Sequence, residues 1–401
     1  MPTQRSSAFA RWMRAARDAI RAFPHPDRRE RMIAYGLDAA YERAGDPEPF
    51  DVGDGKIIIF SDHHRGARDG ADDFLRCERA YRAALGHYLE AGHTLLLLGD
   101  VEELWECRLP APLQKYAAVL DLERAFAARS RLRRFYGNHD LVWSGANVVE
   151  RYLARAMDTE VEVQESLRLE VRDGDRQLGE IFLTHGHQGT PDSDLWAPLA
   201  MIPVRYVWPA LQRSVKFAST SPAIDFNLRA GHDLAMFRWA QARSAARRPL
   251  VLITGHTHKP VFRQRKASGD LPGGVAVPSR DEARAQLEAA RAGGAPPDEL
   301  ANLRAMLEFV LTEDYGAPPV TIEPPCYFNT GCCSFADGDV TGIEIAGGNI
   351  SLVRWLDNDD EPRSFTLDSA PLEQILGEVA GAAPIATTAP AAAPPPVPQP
   401  T

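Results

Sequence analysis

Five short apolar runs in this chain each end directly in a cluster of aspartate, asparagine or histidine, and no other feature restricts the possible folds as much. Residues 56–60 run into Ser61, Asp62, His63 and His64, residues 94–98 into Gly99 and Asp100, and residues 132–136 into Gly137, Asn138, His139 and Asp140. Residues 180–184 run into His185, Gly186 and His187, and residues 250–254 into Gly255, His256, Thr257 and His258. Strand-like runs alternating with helical stretches predict an α/β core. Because the runs are nearly all apolar, their strands are expected to be covered on both faces. In open α/β sheets the carboxyl ends of strands border the binding crevice, so the five clusters are predicted to converge there.

The segments between these runs set the organisation. Phe74, Cys77, Tyr81, Leu85 and Tyr88 trace one face of a helix, with Asp72 or Asp73 as its N-cap and Gly92 as its stop. Phe9, Trp12, Met13, Ala16, Ile20 and Phe23 predict an amphipathic helix over 7–23, inside an N-terminal helical extension spanning 1–50. Residues 188–245 are read as a helical cap, in which 195–211 carry one charge, Arg205, and three helix-interrupting prolines. Residues 266–320 read as an insertion with helical patterns at 281–291 and 298–311. Strand-like runs at 326–329, 342–345 and 350–355 return to the core, and the Ala/Pro composition of 377–401 predicts a disordered tail.

Composition narrows the function. A net charge of -10 and the lack of an aromatic-basic stripe argue against a nucleic-acid partner. Five cysteines, Cys77, Cys107, Cys326, Cys332 and Cys333, show no metal-binding spacing and no disulfide framework, which suits a reducing cytoplasm. No stretch reaches the ~18 consecutive apolar residues of a spanning helix, so the expectation is a soluble or membrane-peripheral protein.

Carboxylate, carboxamide and imidazole together form a donor set that suits Mn, or alternatively Fe, Zn or Co. A carboxylate between two such ions can bridge them. Two ions about 3.5–4 Å apart deprotonate a bound water near neutral pH and hold the charge that develops on phosphorus. The glycines before Asp100, Asn138 and His256 allow sharp turns that bring side chains together. Among the other histidines, His63 is expected to point opposite to Asp62 and His64, His187 is a hydrogen-bonding or substrate group, and His87, His93 and His232 read as surface or capping residues. Arg65, Arg68 and Lys259 flank the clusters and are candidate phosphate donors.

Taken in this order, the motifs resemble those of the calcineurin-like metallophosphoesterases over roughly residues 56–260 and again near 327–331. The resemblance implies a four-layer fold with a central β-sandwich, placing the metallophosphoesterase domain at 51–376. It also implies that Asp62, His64 and His258 hold one metal, Asn138, His185 and His256 the other, and that Asp100 bridges. A metal-bridging hydroxide would attack phosphorus, with His139 facing the substrate and Asp140 orienting it. The stretch Gly99-Asp100-Val101-Glu102-Glu103-Leu104-Trp105 is similar to the bacterial UDP-2,3-diacylglucosamine pyrophosphohydrolases. That likeness implies a lipid-linked substrate and a cap that receives acyl chains, whereas the metals alone accept any phosphorylated small molecule. A non-catalytic scaffold of the same fold is the reading from another class.

Overall fold

The computed structural model describes residues 26–190, 226–246, 248–262, 270–271, 275–276, 280–294, 300, 303, 324–335, 337–358 and 361–382. The predicted helix at 7–23, the apolar stretch 195–211, nearly all of the predicted helix at 298–311 and the tail from 383 onward lie outside the described residues.

Helix α1 (Pro26–Arg43) leads to β1 (Glu48–Asp51) and β2 (Ile57–Phe60); α2 (Glu78–Glu90) precedes β3 (Thr94–Leu98), and α3 (Ala117–Ala127) precedes β4 (Leu132–Phe135). Then come β5 (Val163–Gln164), β6 (Ser166–Asp173), β7 (Arg176–Thr184), α4 (Phe226–Ala246), β8 (Leu250–Thr254) and β9 (Pro260–Val261). The predicted insertion holds a small hairpin of β10 (Asp270–Leu271) and β11 (Val275–Ala276), followed by α5 (Arg280–Ala292). After it, β12 (Tyr327–Thr330), β13 (Val340–Ala346), β14 (Asn349–Asn358) and β15 (Glu361–Pro371) lead into α6 (Leu372–Gly381).

Two mixed sheets result. One has the order β1-β6-β7-β8-β12-β9 and the other β15-β14-β13-β2-β3-β4-β5. Strands β2, β3 and β4 run parallel in the second sheet, and β7, β8 and β12 run parallel in the first. The five apolar runs therefore divide three and two between separate sheets. Their carboxyl ends still meet, because side-chain bonds cross between the sheets: His185 Nδ1 lies 2.8 Å from Leu98 O, and His256 N–H donates to the Asp62 carboxylate at 2.9 Å.

Double-sided burial explains why β2 and β3 are almost wholly apolar. Ile57, Ile59, Leu96 and Leu98 face one way and share a core with Leu183, Val251 and Ile253 of the other sheet. Ile58, Phe60, Leu95 and Leu97 face the other way, onto Tyr81 and Tyr88 of α2 and Val119 and Phe126 of α3. On the first sheet, Phe182, Leu250 and Leu252 meet Ile33 and Leu37 of α1 and Met236 and Trp239 of α4.

Several local expectations change. Phe74, Cys77, Tyr81, Leu85 and Tyr88 are all buried, but neither Asp72 nor Asp73 caps α2. The chain first makes a single 3₁₀ turn over Asp73–Arg76, and the Asp72 carboxylate instead accepts from Arg68 N–H and Tyr116 O–H. The predicted disordered tail begins inside α6, where Ile375, Leu376 and Val379 are buried, so apolar spacing outweighs Ala/Gly content up to Gly381. His93 is buried, its Nε2 3.0 Å from Glu344, rather than lying on the surface.

Candidate metal centre

Strand ends supply the site because each turns abruptly there. Asp62, His64, Asp100, His256 and His258 all have φ between 50° and 70°, the left-handed region that costs a residue with a Cβ about 1–2 kcal/mol. Five such residues on three separate loops, all candidate ligands, mark backbone held under strain for the placement of side chains. The preceding glycines allow the close approach. A Cβ on Gly99, itself at φ 87°, would stand 2.7 Å from the His185 ring, and one on Gly255 would collide with Ser61 and the Asp62 carboxylate.

The side chains form three overlapping groups whose donor atoms lie within 4.8 Å of one another: Asp62, His64 and His258; Asp100, His185 and His256; and His64, Asp100 and His139. His258 Nε2 lies 3.2 Å from Asp62 Oδ1, and His185 Nε2 lies 3.2 Å from Asp100 Oδ2. The bonds on the far side of the rings determine what those atoms present. His185 Nδ1 donates to Leu98 O at 2.8 Å, and His64 Nδ1 to Glu103 Oε2 at 2.8 Å. In the neutral rings the Nε2 lone pairs therefore turn inward, His185 toward a carboxylate and His64 toward His258 Nε2 at 3.1 Å. Acceptors facing acceptors at these distances repel unless a proton or a cation lies between them.

Protonation of the metal-free centre reflects that demand. Burial lowers the basicity of His64 and His185, yet surrounding carboxylates overcome it and raise them to about 10 and about 9. Burial works against Asp62 and Asp100 as well, but His258 and His185 respectively hold them below the ordinary carboxylate range. Asn138, 5% exposed, leaves its Oδ1 without a hydrogen-bond partner. An orphaned amide oxygen, inward lone pairs and two carboxylates make a donor set that could hold metal ions, which would relieve all three penalties.

His139 lies at the mouth, its side chain 16% exposed against 0% for His185. Its Nδ1 is 2.7 Å from Glu103 Oε2, the same oxygen that receives His64, and its ring stacks on Trp105 at 4.1 Å. Trp105 is itself fixed by its indole N–H to Asn138 O at 2.9 Å. The expected orienting role of Asp140 is therefore corrected, because its carboxylate accepts backbone N–H bonds from Gly137 at 2.6 Å and Val101 at 2.9 Å. Asp140 joins two loops, and Glu103 orients His139. Only the spacing of Glu103 and Trp105 after Asp100 signalled them in the sequence.

Arg65 is also corrected. It is 1% exposed and bonded to Glu123, with Glu102 at 3.9 Å; Arg134 bonds Glu102 at 2.7 Å, and Trp143 donates to Glu102 at 2.8 Å. Alternation explains the misplacement: His64 points to the metal centre, so Arg65 points into the core. His63 also points inward, edge-on to Tyr81 at 4.6 Å, and burial followed by Arg65 keeps it well below its ordinary pKa. Arg68 is held by Lys115 O and Glu78. Lys259 is half-buried directly after His258. His187 is buried 5.4 Å from His185, and burial pushes it down to about 3. His232, read as a surface residue, is buried 5.2 Å from His256, because α4 packs across the strand ends.

No protein-family model and no curated protein matches the sequence. Among solved structures, a single mutant of Vps29 from Entamoeba histolytica matches at 14% identity, covering 78% of this chain and 98% of that chain, with a TM-score of 0.29. An overlap of that size carries nothing across from one protein to the other, and the function rests on the site.

Proposed function

We propose that this protein is a calcineurin-like metallophosphoesterase with the four-layer arrangement of that superfamily, hydrolysing a phosphate ester or anhydride. The observation that carries the reading is the cluster of inward-facing donors: Asp62, His64, Asp100, Asn138, His185, His256 and His258 would hold two cations. When bound, the cations supply an activated water and positive charge opposite the phosphoryl group. His139, with Nδ1 committed to Glu103, keeps Nε2 for the substrate, where it holds or donates the proton needed by the leaving oxygen. Stacking on Trp105 fixes the plane of that ring.

The substrate is a phosphorylated small molecule or a lipid-linked phosphate such as UDP-diacylglucosamine. The second choice rests on the apolar composition of 195–211 and the motif around Asp100. Among the described residues no helix is long and apolar enough to cross a membrane. An assay with Mn, Fe, Zn or Co added, against a phosphomonoester, a phosphodiester and UDP-diacylglucosamine, tests the proposal. Metal-dependent turnover of any one supports it, and stoichiometric metal uptake without turnover of all three favours the scaffold.

A further inference from the structure

Helix α4 does more than cover a sheet. Its packing face is already supplied by Met236, Phe237, Trp239 and Ala240. One turn earlier it places a buried histidine and a half-buried aspartate side by side, where burying polar groups is costly unless they are bonded. Both are bonded, and each to a different ligand-bearing loop. His232 Nε2 donates to Gly186 O at 2.8 Å, the carbonyl next to His185. Asp233 Oδ1 accepts from Thr257 Oγ1 at 3.0 Å, between His256 and His258, and from Tyr327 O–H at 2.7 Å.

The two loops have little slack. Gly186 lies at φ 106°, where a Cβ would stand 3.1 Å from Thr254 and 3.5 Å from the Cβ of His256. Asn329 Nδ2 donates to Gly255 O at 2.6 Å and reaches Thr257 Oγ1 at 3.1 Å, so Thr257 is held by a strand and by α4 together. Helix α1 touches the first loop as well, since a Cβ on Gly189 would strike Met32 O and one on Gly36 would strike Gly189.

We infer that His232 and Asp233 are positioning residues, one for the loop of His185 and the other for the loop of His256 and His258. The inference rests on the metal-centre reading and adds residues to it. Loss of a group that orients ligands typically lowers metal affinity 10–100-fold. His232 acts on the group of His185, His256 and Asp100 alone, whereas the loop held by Asp233 contributes a histidine to each cation.

Titration of the metal-free full chain with Mn²⁺ alone, followed by calorimetry, tests this with a pair of near-equal substitutions. His232→Gln puts an amide N–H where Nε2 stood and keeps the bond to Gly186; His232→Asn puts it where Nδ1 stood and cannot reach. The expected result is two binding events near wild type for His232→Gln, and one event weakened about 10–100-fold for His232→Asn. Asp233→Ala is expected to weaken both events. Equal affinities for the Asn and Gln variants overturn the role of His232, and unchanged binding in Asp233→Ala overturns that of Asp233. A wild-type chain that takes up no Mn²⁺ overturns the metal-centre reading itself, which separates the two failures.

Discussion

His139 is held from two directions, by the Glu103 carboxylate at Nδ1 and by the face of Trp105, so its free nitrogen has one orientation. Removing it as His139→Ala is expected to lower kcat about 10²–10⁴-fold with metal content near wild type. The loss should shrink for substrates with good leaving groups; an equal loss across a leaving-group series assigns the ring to binding instead. His64 and His185 give a second expectation. Their pKa values rise from 6.5 to about 10 and about 9 in the metal-free chain. A raised basic group stabilises the fold fully below its unfolded pKa and ceases to do so as pH rises through its folded one. The metal-free protein should thus lose stability between about pH 6.5 and 10, while the Mn²⁺-loaded protein should not, because the ion replaces the protons. Urea denaturation at pH 6, 8 and 10 with and without Mn²⁺ reads this, and parallel curves would rule it out. Arg65→Met leaves Glu123 and Glu102 short of a buried cation and is expected to destabilise by about 3–5 kcal/mol. A change below about 1 kcal/mol in the same denaturation measurement would show that Arg134 alone satisfies both carboxylates.

Three of the five site-forming strands stop and turn through left-handed residues, at Asp62 and His64, at Asp100, and at His256 and His258, and the first of them releases alternate side chains in opposite directions. That alternation separates His64 from Arg65 and Asp62 from His63, one set to the donor cluster and the other into the core. The glycine spacing makes the same point for Gly255, whose hydrogen faces Ser61 and the Asp62 carboxylate. Gly255→Ala is expected to weaken Mn²⁺ binding more than tenfold, by displacing Asp62. Gly86→Ala in α2, where a Cβ meets nothing within 4 Å, should leave binding unchanged and add about 0.5–1 kcal/mol of stability. Matching metal affinities in the two variants would mean that the Asp62 loop yields without consequence.

Among the described residues the two sheets share an apolar core, and α1 packs on the outer face of one of them. It buries Ile33, Leu37, Ala40 and Tyr41, and its backbone at Met32 and Gly36 abuts the loop after His185. Re-exposing the apolar partners of those side chains removes about 5 kcal/mol or more, comparable with the 5–15 kcal/mol that holds a typical domain folded. Deletion of residues 1–44 is therefore expected to give an unfolded or insoluble chain. A truncated protein that melts cooperatively near the full-length temperature would make α1 an appendage.

The sequence by itself determined the strands and the chemistry at their ends. Period, apolar runs and donor residues are local properties, so residues 94–98 and 250–254 coincide with β3 and β8. It also indicated that Asp62, His64, Asp100, His185, His256 and His258 belong together, because one strand-end position recurs in all of them. Only the tertiary structure decided which strands fall in which sheet and in what order, since pairing depends on partners far along the chain. It alone exchanged Asp140 for Glu103 beside His139, turned Arg65 into the core and brought His232 and Asp233 of α4 to the ligand loops. Those last three outcomes depend on which way a side chain points after a turn and on what packs across it, and neither is encoded in the spacing of one segment.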